Sequence, residues 1–250
     1  MPTPKLDIVP DEKYTLFLAE RRRDIVSRLA DACARSGRDV SEVGMLAVSK
    51  TVEPEAVRCA WRAGWRSFAE NRPQELSRKL AFVEDEASPE MSTARFDLIG
   101  NLQKNKINQV IGRVELIHSV SSLELARAIS SRCETRGVEQ ACLLEVNVSG
   151  ELTKSGFSAD EARAAAEELC GLPGIRVEGL MTMAPRGDAD AARRTFSGLR
   201  ELACDLRERT GLGLPMLSCG MSDDFRIAVE EGSTLVRLGR VAFDPGYELS

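Results

Sequence analysis

The 250-residue sequence predicts a single α/β domain, a (β/α)8 TIM barrel with an extra N-terminal helix. Three observations lead there. Eight short apolar runs alternate along the chain with segments of helical period. The runs "MLAV", "LLEVNV" and "LVRL" are continuously apolar, as strands of a parallel sheet covered on both faces are. Eight such pairs also fill the length of one barrel, about 250 residues. An open doubly wound sheet is the runner-up, weakened because no G-x-G-x-x-G follows the first strand.

Taken in order, residues 14–36 carry Leu16, Leu18, Ile25, Leu29 and Cys33 at helical spacing and stop at Gly37. This is the extra helix. Strands are expected at 43–48, 66–69, 95–99, 115–119, 142–147, 175–181, 216–219 and 234–238. Helices are expected at 54–63, 72–84, 103–111, 122–136, 158–170, 188–210 and 223–231. In the first of these, Pro54 suits an opening turn, and Ala56, Val57, Ala60 and Trp61 make one apolar stripe that Gly64 ends. The acidic, small-residue stretch "EDEASPEMSTA", 84–94, is expected to be a mobile loop, and residues 1–10 a flexible leader. No repeat or second domain interrupts the alternation, so residues 1–250 are one unit.

Composition narrows the function. A net charge of −5 and a pI near 5.3 argue against nucleic-acid binding, which needs a basic face. Arg21, Arg22 and Arg23 lie between Glu20 and Asp24 in a helical pattern and form a solvated face. The N-terminus lacks a signal peptide's apolar core, and no run approaches the ~20 apolar residues that span a bilayer. Seven scattered cysteines with no C-x-x-C pair suggest a reducing, cytoplasmic setting. With a single histidine, His118, a zinc site is not expected.

In a barrel, chemistry gathers where strands meet their following loops. Those positions hold Ser49-Lys50, Glu70-Asn71, Gly100-Asn101, Ser119, Asn147, Thr182, Ser218 through Met221 to Ser222, and Gly239-Arg240. Lys50 ends an apolar strand: it either snorkels to water or supplies a neutral amine for a Schiff base. Ser218, Gly220 and Ser222 either turn the chain and cap a helix opening at Asp223, or cradle a phosphate. Asp223 and Asp224 weigh against the cradle unless their side chains turn away. Arg237 amid Leu235, Val236 and Leu238 is either paired with an acid such as Glu145 or a donor to a ligand. Asn71 and Asn101 are helix caps or pocket amides. Gln103, Lys104 and Lys106 are exposed or form a cationic rim. His118 reads as a satisfied core histidine rather than a catalyst.

Together the segments "AVSKTVEPE", "FAENRPQEL", "FDLIGNLQKNK", "NVSGELTKSGF", "GLMTMAP" and "LSCGMSDDFRIAVEEGSTLVRLG" resemble the pyridoxal-phosphate homeostasis proteins, the YggS/PROSC family. That family is similar in turn to the N-terminal barrel of alanine racemase. The match runs in order from about residue 14 to 243. The resemblance implies that Lys50 carries pyridoxal 5′-phosphate as a Schiff base. It also implies that Ser218, Ser222, Gly239 and the position of Arg240 surround the phosphate, that Met221 is among the cofactor-binding residues, that Arg237 faces the pyridine nitrogen, and that Asn71 lies beside the cofactor. The chain departs from the family at Asn101, commonly histidine, and at Arg240, commonly threonine or serine. It also ends "AFDPGYELS" where phenylalanine-glycine is usual.

A racemase needs two opposed bases, and in the alanine racemases the second is a tyrosine from a further β-domain. Here Tyr14 and Tyr247 are the tyrosines, and neither sits on a candidate strand end. The first expectation is therefore a cytoplasmic, monomeric carrier that holds the cofactor for apoenzymes without robust turnover. A weak racemase using Lys50 and His118, or a cofactor-free Schiff-base aldolase, are the alternatives.

Overall fold

The structure, a computed structural model, describes residues 5–85, 89–151 and 155–249. Helix α1, Glu12–Arg35, opens where the Asp11 carboxylate accepts from the Tyr14 amide at 2.9 Å. It buries Leu18, Ile25, Leu29 and Cys33 from the expected stripe, but Leu16 faces solvent, and Tyr14 and Ala32 take part instead. Of residues 1–10, expected to be flexible, residues 1–4 lie outside the described residues, and the Leu6 amide donates to the Thr51 carbonyl at 2.8 Å.

The strands are β1 (Gly44–Val48), β2 (Ser67–Glu70), β3 (Arg95–Leu98), β4 (Leu116–Val120), β5 (Gln140–Glu145), β6 (Ile175–Met181), β7 (Met216–Ser218) and β8 (Leu235–Leu238). All pair in parallel in chain order, and β8 closes on β1 with Leu46 beside Arg237. The helices are α2 (Pro54–Arg62), α3 (Pro73–Glu84), α4 (Leu123–Arg136), α5 (Ala159–Gly171), α6 (Ala189–Thr210), α7 (Phe225–Glu230) and α8 (Arg240–Phe243). The open-sheet alternative is excluded.

Two segments differ from expectation. Residues 103–111 form a 3-10 turn, Lys104–Gln109, instead of an α-helix. Asn105 and Asn108 offer the backbone competing side-chain partners there, which disfavours a regular helix. Within 84–94, Pro89–Thr93 is a 3-10 turn that fully buries Met91, while residues 86–88 lie outside the described residues.

Successive strand residues face opposite sides, and this sorts the core. Ala47, Phe68, Phe96, Leu98, Ile117, Leu217, Val236 and Leu238 face the helices. Leu46, Val48, Ala69, Leu116, Leu143, Met181 and Leu235 fill the barrel interior. By the same alternation Asp97, His118, Glu145, Ser218 and Arg237 also point inward, so the apolar floor carries a polar layer near the strands' C-terminal ends.

α8 is only four residues long and cannot cover the β8–β1 seam. α1 does that work, packing against α7, α2 and α8, with the buried Tyr14 hydroxyl donating to the Phe243 carbonyl at 2.7 Å. The added helix stands in the eighth position of the outer ring.

Candidate functional site

Lys50 follows β1 in the inward alternation and is half-buried. Its amine loses a proton more readily than an ordinary lysine. Burial is the main cause, and the Arg186 and Arg240 charges add to it while Glu70 opposes. Arg186, on the loop after β6, was not foreseen. Nothing in "MAPRGD" distinguishes it from an ordinary surface arginine.

The backbone beside Lys50 is clamped from behind. Ser49 and Glu70 alternate outward, towards α3. Ser49 donates through its hydroxyl to Glu70 Oε1 at 2.7 Å and through its amide to the Ala69 carbonyl at 3.0 Å. Lys79 of α3, wholly buried, donates to both the Ser49 carbonyl and Glu70 Oε1. Glu70 is therefore a wall residue, not a mouth residue.

Below Lys50 the polar layer forms one connected chain. Arg237 donates from Nη1 to the Ser218 carbonyl at 2.6 Å and the Ser218 hydroxyl at 2.7 Å, and from Nη2 to the Thr182 carbonyl at 2.9 Å. Ser218 Oγ accepts from Arg237, so its own proton goes to His118 Nδ1 at 2.9 Å. His118 Nε2–H then donates to Asp97 Oδ2 at 3.0 Å. Burial pushes the His118 pKa down against the pull of Asp97, which agrees with this neutral tautomer. His118 is a satisfied interior residue, as expected.

Of the two readings of Arg237, the salt bridge to Glu145 does not form. Glu145 accepts from Ser155 at 2.9 Å, and its burial raises its pKa. Among the described residues, Arg237 is held by carbonyls and one hydroxyl, and burial drives its pKa down. Ser218, placed at the phosphate by resemblance, has its hydroxyl engaged by Arg237 and His118.

The β7–α7 turn holds the remaining expected residues. Gly220 has φ +90°, and a Cβ there would lie 2.6 Å from that of Ala228, so only glycine fits. α7 begins at Phe225 after Asp224, so the capping reading of Ser222 does not hold. Ser222 Oγ instead accepts from the Val241 amide at 3.1 Å in the first turn of α8. Both acids turn away from the mouth: Asp224 accepts from the Met221 amide at 2.6 Å, and Asp223 accepts from Arg240 at 2.5 Å. Gly239 lies against Val48 at the end of β1, which brings the β8–α8 turn beside Lys50.

Asn71 is half-buried at the end of β2 and is not a helix cap, since Arg72 holds that position for α3. A Cβ on Gly100 would lie 2.1 Å from the Asn71 carbonyl oxygen, so the β2 and β3 ends touch. Asn101, Gln103 and Lys104 line an open cleft of about 600 Å³ with Ser121, Ser122 and Leu125. Lys104 there pairs with Glu124 rather than with the mouth. Lys50, Asn71, Met221, Ser222 and Gly239 thus all follow strand ends on the C-terminal face, above the layer that holds Arg237. Arg240 borders them but is turned to Asp223.

The alanine racemase N-terminal domain family matches residues 28–244. A pyridoxal phosphate homeostasis protein of Aquifex aeolicus is 38% identical over 90% of this chain and 96% of its own length. The chain belongs to the pyridoxal phosphate homeostasis proteins. A solved structure, PipY of Synechococcus elongatus with PLP bound, superposes with a TM-score of 0.76 at 34% identity, covering 88% of this chain and 99% of that one. An alanine racemase of Clostridium difficile shares the fold, with a TM-score of 0.65 at 14% identity, covering 92% of this chain and 58% of that one. No helix among the described residues is long and apolar enough to cross a membrane, and no cluster of His, Cys, Asp or Glu among them could hold a metal ion.

Proposed function

We propose that this chain holds pyridoxal 5′-phosphate in the barrel mouth through a Schiff base to Lys50. It serves intracellular cofactor homeostasis in the cytoplasm as a monomeric carrier, passing the cofactor to PLP-dependent apoenzymes without robust turnover. The donor set fits an aldehyde phosphate. It combines an easily deprotonated amine, a serine hydroxyl and glycine turn, and the Arg186 and Arg240 charges that favour a dianion. Ser222, Met221 and Gly239 would hold the phosphate, Asn71 would flank the ring, and Arg237 would face the pyridine nitrogen. Ser218 supports this by fixing Arg237.

Bound there, the cofactor would supply an electron sink, which a guanidinium beside the ring nitrogen weakens by disfavouring its protonation. Racemase chemistry also needs a second base. His118 has both nitrogens engaged below the mouth, Tyr14 is spent on Phe243, and Tyr247 lies on the Ser222 turn. The observation that carries the reading is Lys50 itself, an amine held half-buried with a lowered pKa.

Borohydride reduction of the protein mixed with PLP, followed by peptide mapping, should label Lys50. The visible band should vanish in Lys50→Ala. Label spread over surface lysines would end the proposal. Incubation with L- and D-alanine should give no lysine-dependent racemisation at enzyme-like rates; rapid inversion would replace the carrier by a racemase.

A further inference from the structure

Arg240 and Tyr247, in the ending "AFDPGYELS", meet in space. The Arg240 guanidinium stacks over the Tyr247 ring, 5.3 Å from its centroid, while its Nη2 donates to Asp223 Oδ2. The half-buried Tyr247 hydroxyl lies 2.8 Å from Asp223 Oδ1 and 3.0 Å from the Ser222 carbonyl, and donates to that pair. The tail that carries Tyr247 is itself fixed. Its turn closes with the Tyr247 amide on the Asp244 carbonyl at 3.1 Å and the Gly246 amide on Asp244 Oδ1 at 2.9 Å. From α1, Arg21 donates to the Tyr247 carbonyl at 2.9 Å and Arg28 to the Leu249 carbonyl at 2.6 Å.

Contacts therefore run without a break from α1, through the tail, to the Met221–Ser222 turn. We infer that Tyr247, Asp223 and Arg240 form a latch that positions this turn for the phosphate group of the ligand, with Tyr247 a positioning residue that never touches it. The inference rests on the reading above that the turn binds the phosphate. The chemistry is coherent on its own terms. Ser222 Oγ accepts from the Val241 amide, which leaves its single proton to donate to an anion. That proton is aimed only while the Ser222 backbone stays still, and the Tyr247 hydroxyl holds the Ser222 carbonyl. Asp223, which would repel a phosphate, is neutralised and drawn outward by the same cluster.

The test separates the phosphate from the rest of the ligand. Tyr247→Phe keeps the ring under Arg240 and removes only the hydroxyl. PLP and pyridoxal, which has the same aldehyde and ring without the phosphate, are titrated against wild type and variant by absorbance. Hydrogen exchange at residues 221–225 is measured on the unliganded protein. The expected result is a loss of roughly threefold to tenfold in PLP affinity, the scale of one hydrogen bond. Pyridoxal affinity stays unchanged and exchange at 221–225 becomes faster. An equal loss for both ligands, no loss for either, or unchanged exchange would each overturn the latch. If wild type forms no Lys50-linked band at all, the cofactor reading fails instead, and the exchange measurement alone still decides whether Tyr247 stiffens the turn.

Discussion

An amine must shed its proton before it attacks an aldehyde, and the groups around Lys50 favour the shed form. The folded state gives up this proton at lower pH than the unfolded chain. The unfolded chain therefore binds more protons, and this group's contribution to stability rises with pH from below the folded pKa to the ordinary lysine value, 10.5. Below that window the buried charge costs stability, so Lys50→Met should raise the melting temperature of the unliganded protein at neutral pH and lose that advantage at high pH. Arg186 contributes through its charge alone. Arg186→Ala should move the pH profile of pyridoxal capture upward and slow capture at neutral pH by roughly twofold, an effect that about 1 M salt screens out. A slowing that persists in high salt would mean Arg186 contacts the ligand directly. Arg237→Ala should retain the Lys50 linkage but shift its absorbance; an unshifted spectrum would place the guanidinium away from the ring.

Between strands and helices, the pair Glu70–Lys79 holds the wall behind Lys50. Both side chains are buried, and Glu70 Oε2 has no partner, so Lys79 is its neutralising charge among the described residues. Removing one member leaves an uncompensated buried charge. Lys79→Met should cost about 3–5 kcal/mol in a denaturant titration, and adding Glu70→Met should restore most of it. A mild single-variant loss would show that water reaches Glu70. This pair was illegible in the sequence because Glu70 was read as a mouth residue. Strand alternation turns it outward, and its partner lies nine positions on, on a helix. The strands themselves were legible, since two-sided burial writes continuous apolar runs. β5 starts at Gln140, earlier than hydrophobicity indicates, because that buried amide is satisfied by Gly112, Val114 and Ala141. Lys50 and Arg237 stood out as charges ending or interrupting such runs. The Asp97–His118–Ser218 chain did not, since it joins β3, β4 and β7 across the interior.

At the scale of the whole molecule, the closure of the barrel depends on a helix that the chain makes first and places last. The 3.6-residue period revealed α1, but its position against α7, α2 and α8 follows from the shortness of α8, which only the fold exposes. Leu18, Ile25 and Leu29 on α1 are essentially inaccessible to water. At about 1.5–3 kcal/mol each they contribute roughly 5–9 kcal/mol, comparable to the ~5–15 kcal/mol that holds a typical domain together. The same helix sends Arg21 and Arg28 to the tail that carries Tyr247, so cover for the β8–β1 seam and order at the Ser222 turn share one source. A chain beginning at residue 37 should therefore lose cooperative thermal unfolding and bind a hydrophobic dye. Leu29→Ala, at about 2–5 kcal/mol, should lower the melting temperature while leaving the transition cooperative. If the truncated chain melted as sharply as the full one, the eighth position of the ring would have to be filled by something other than α1.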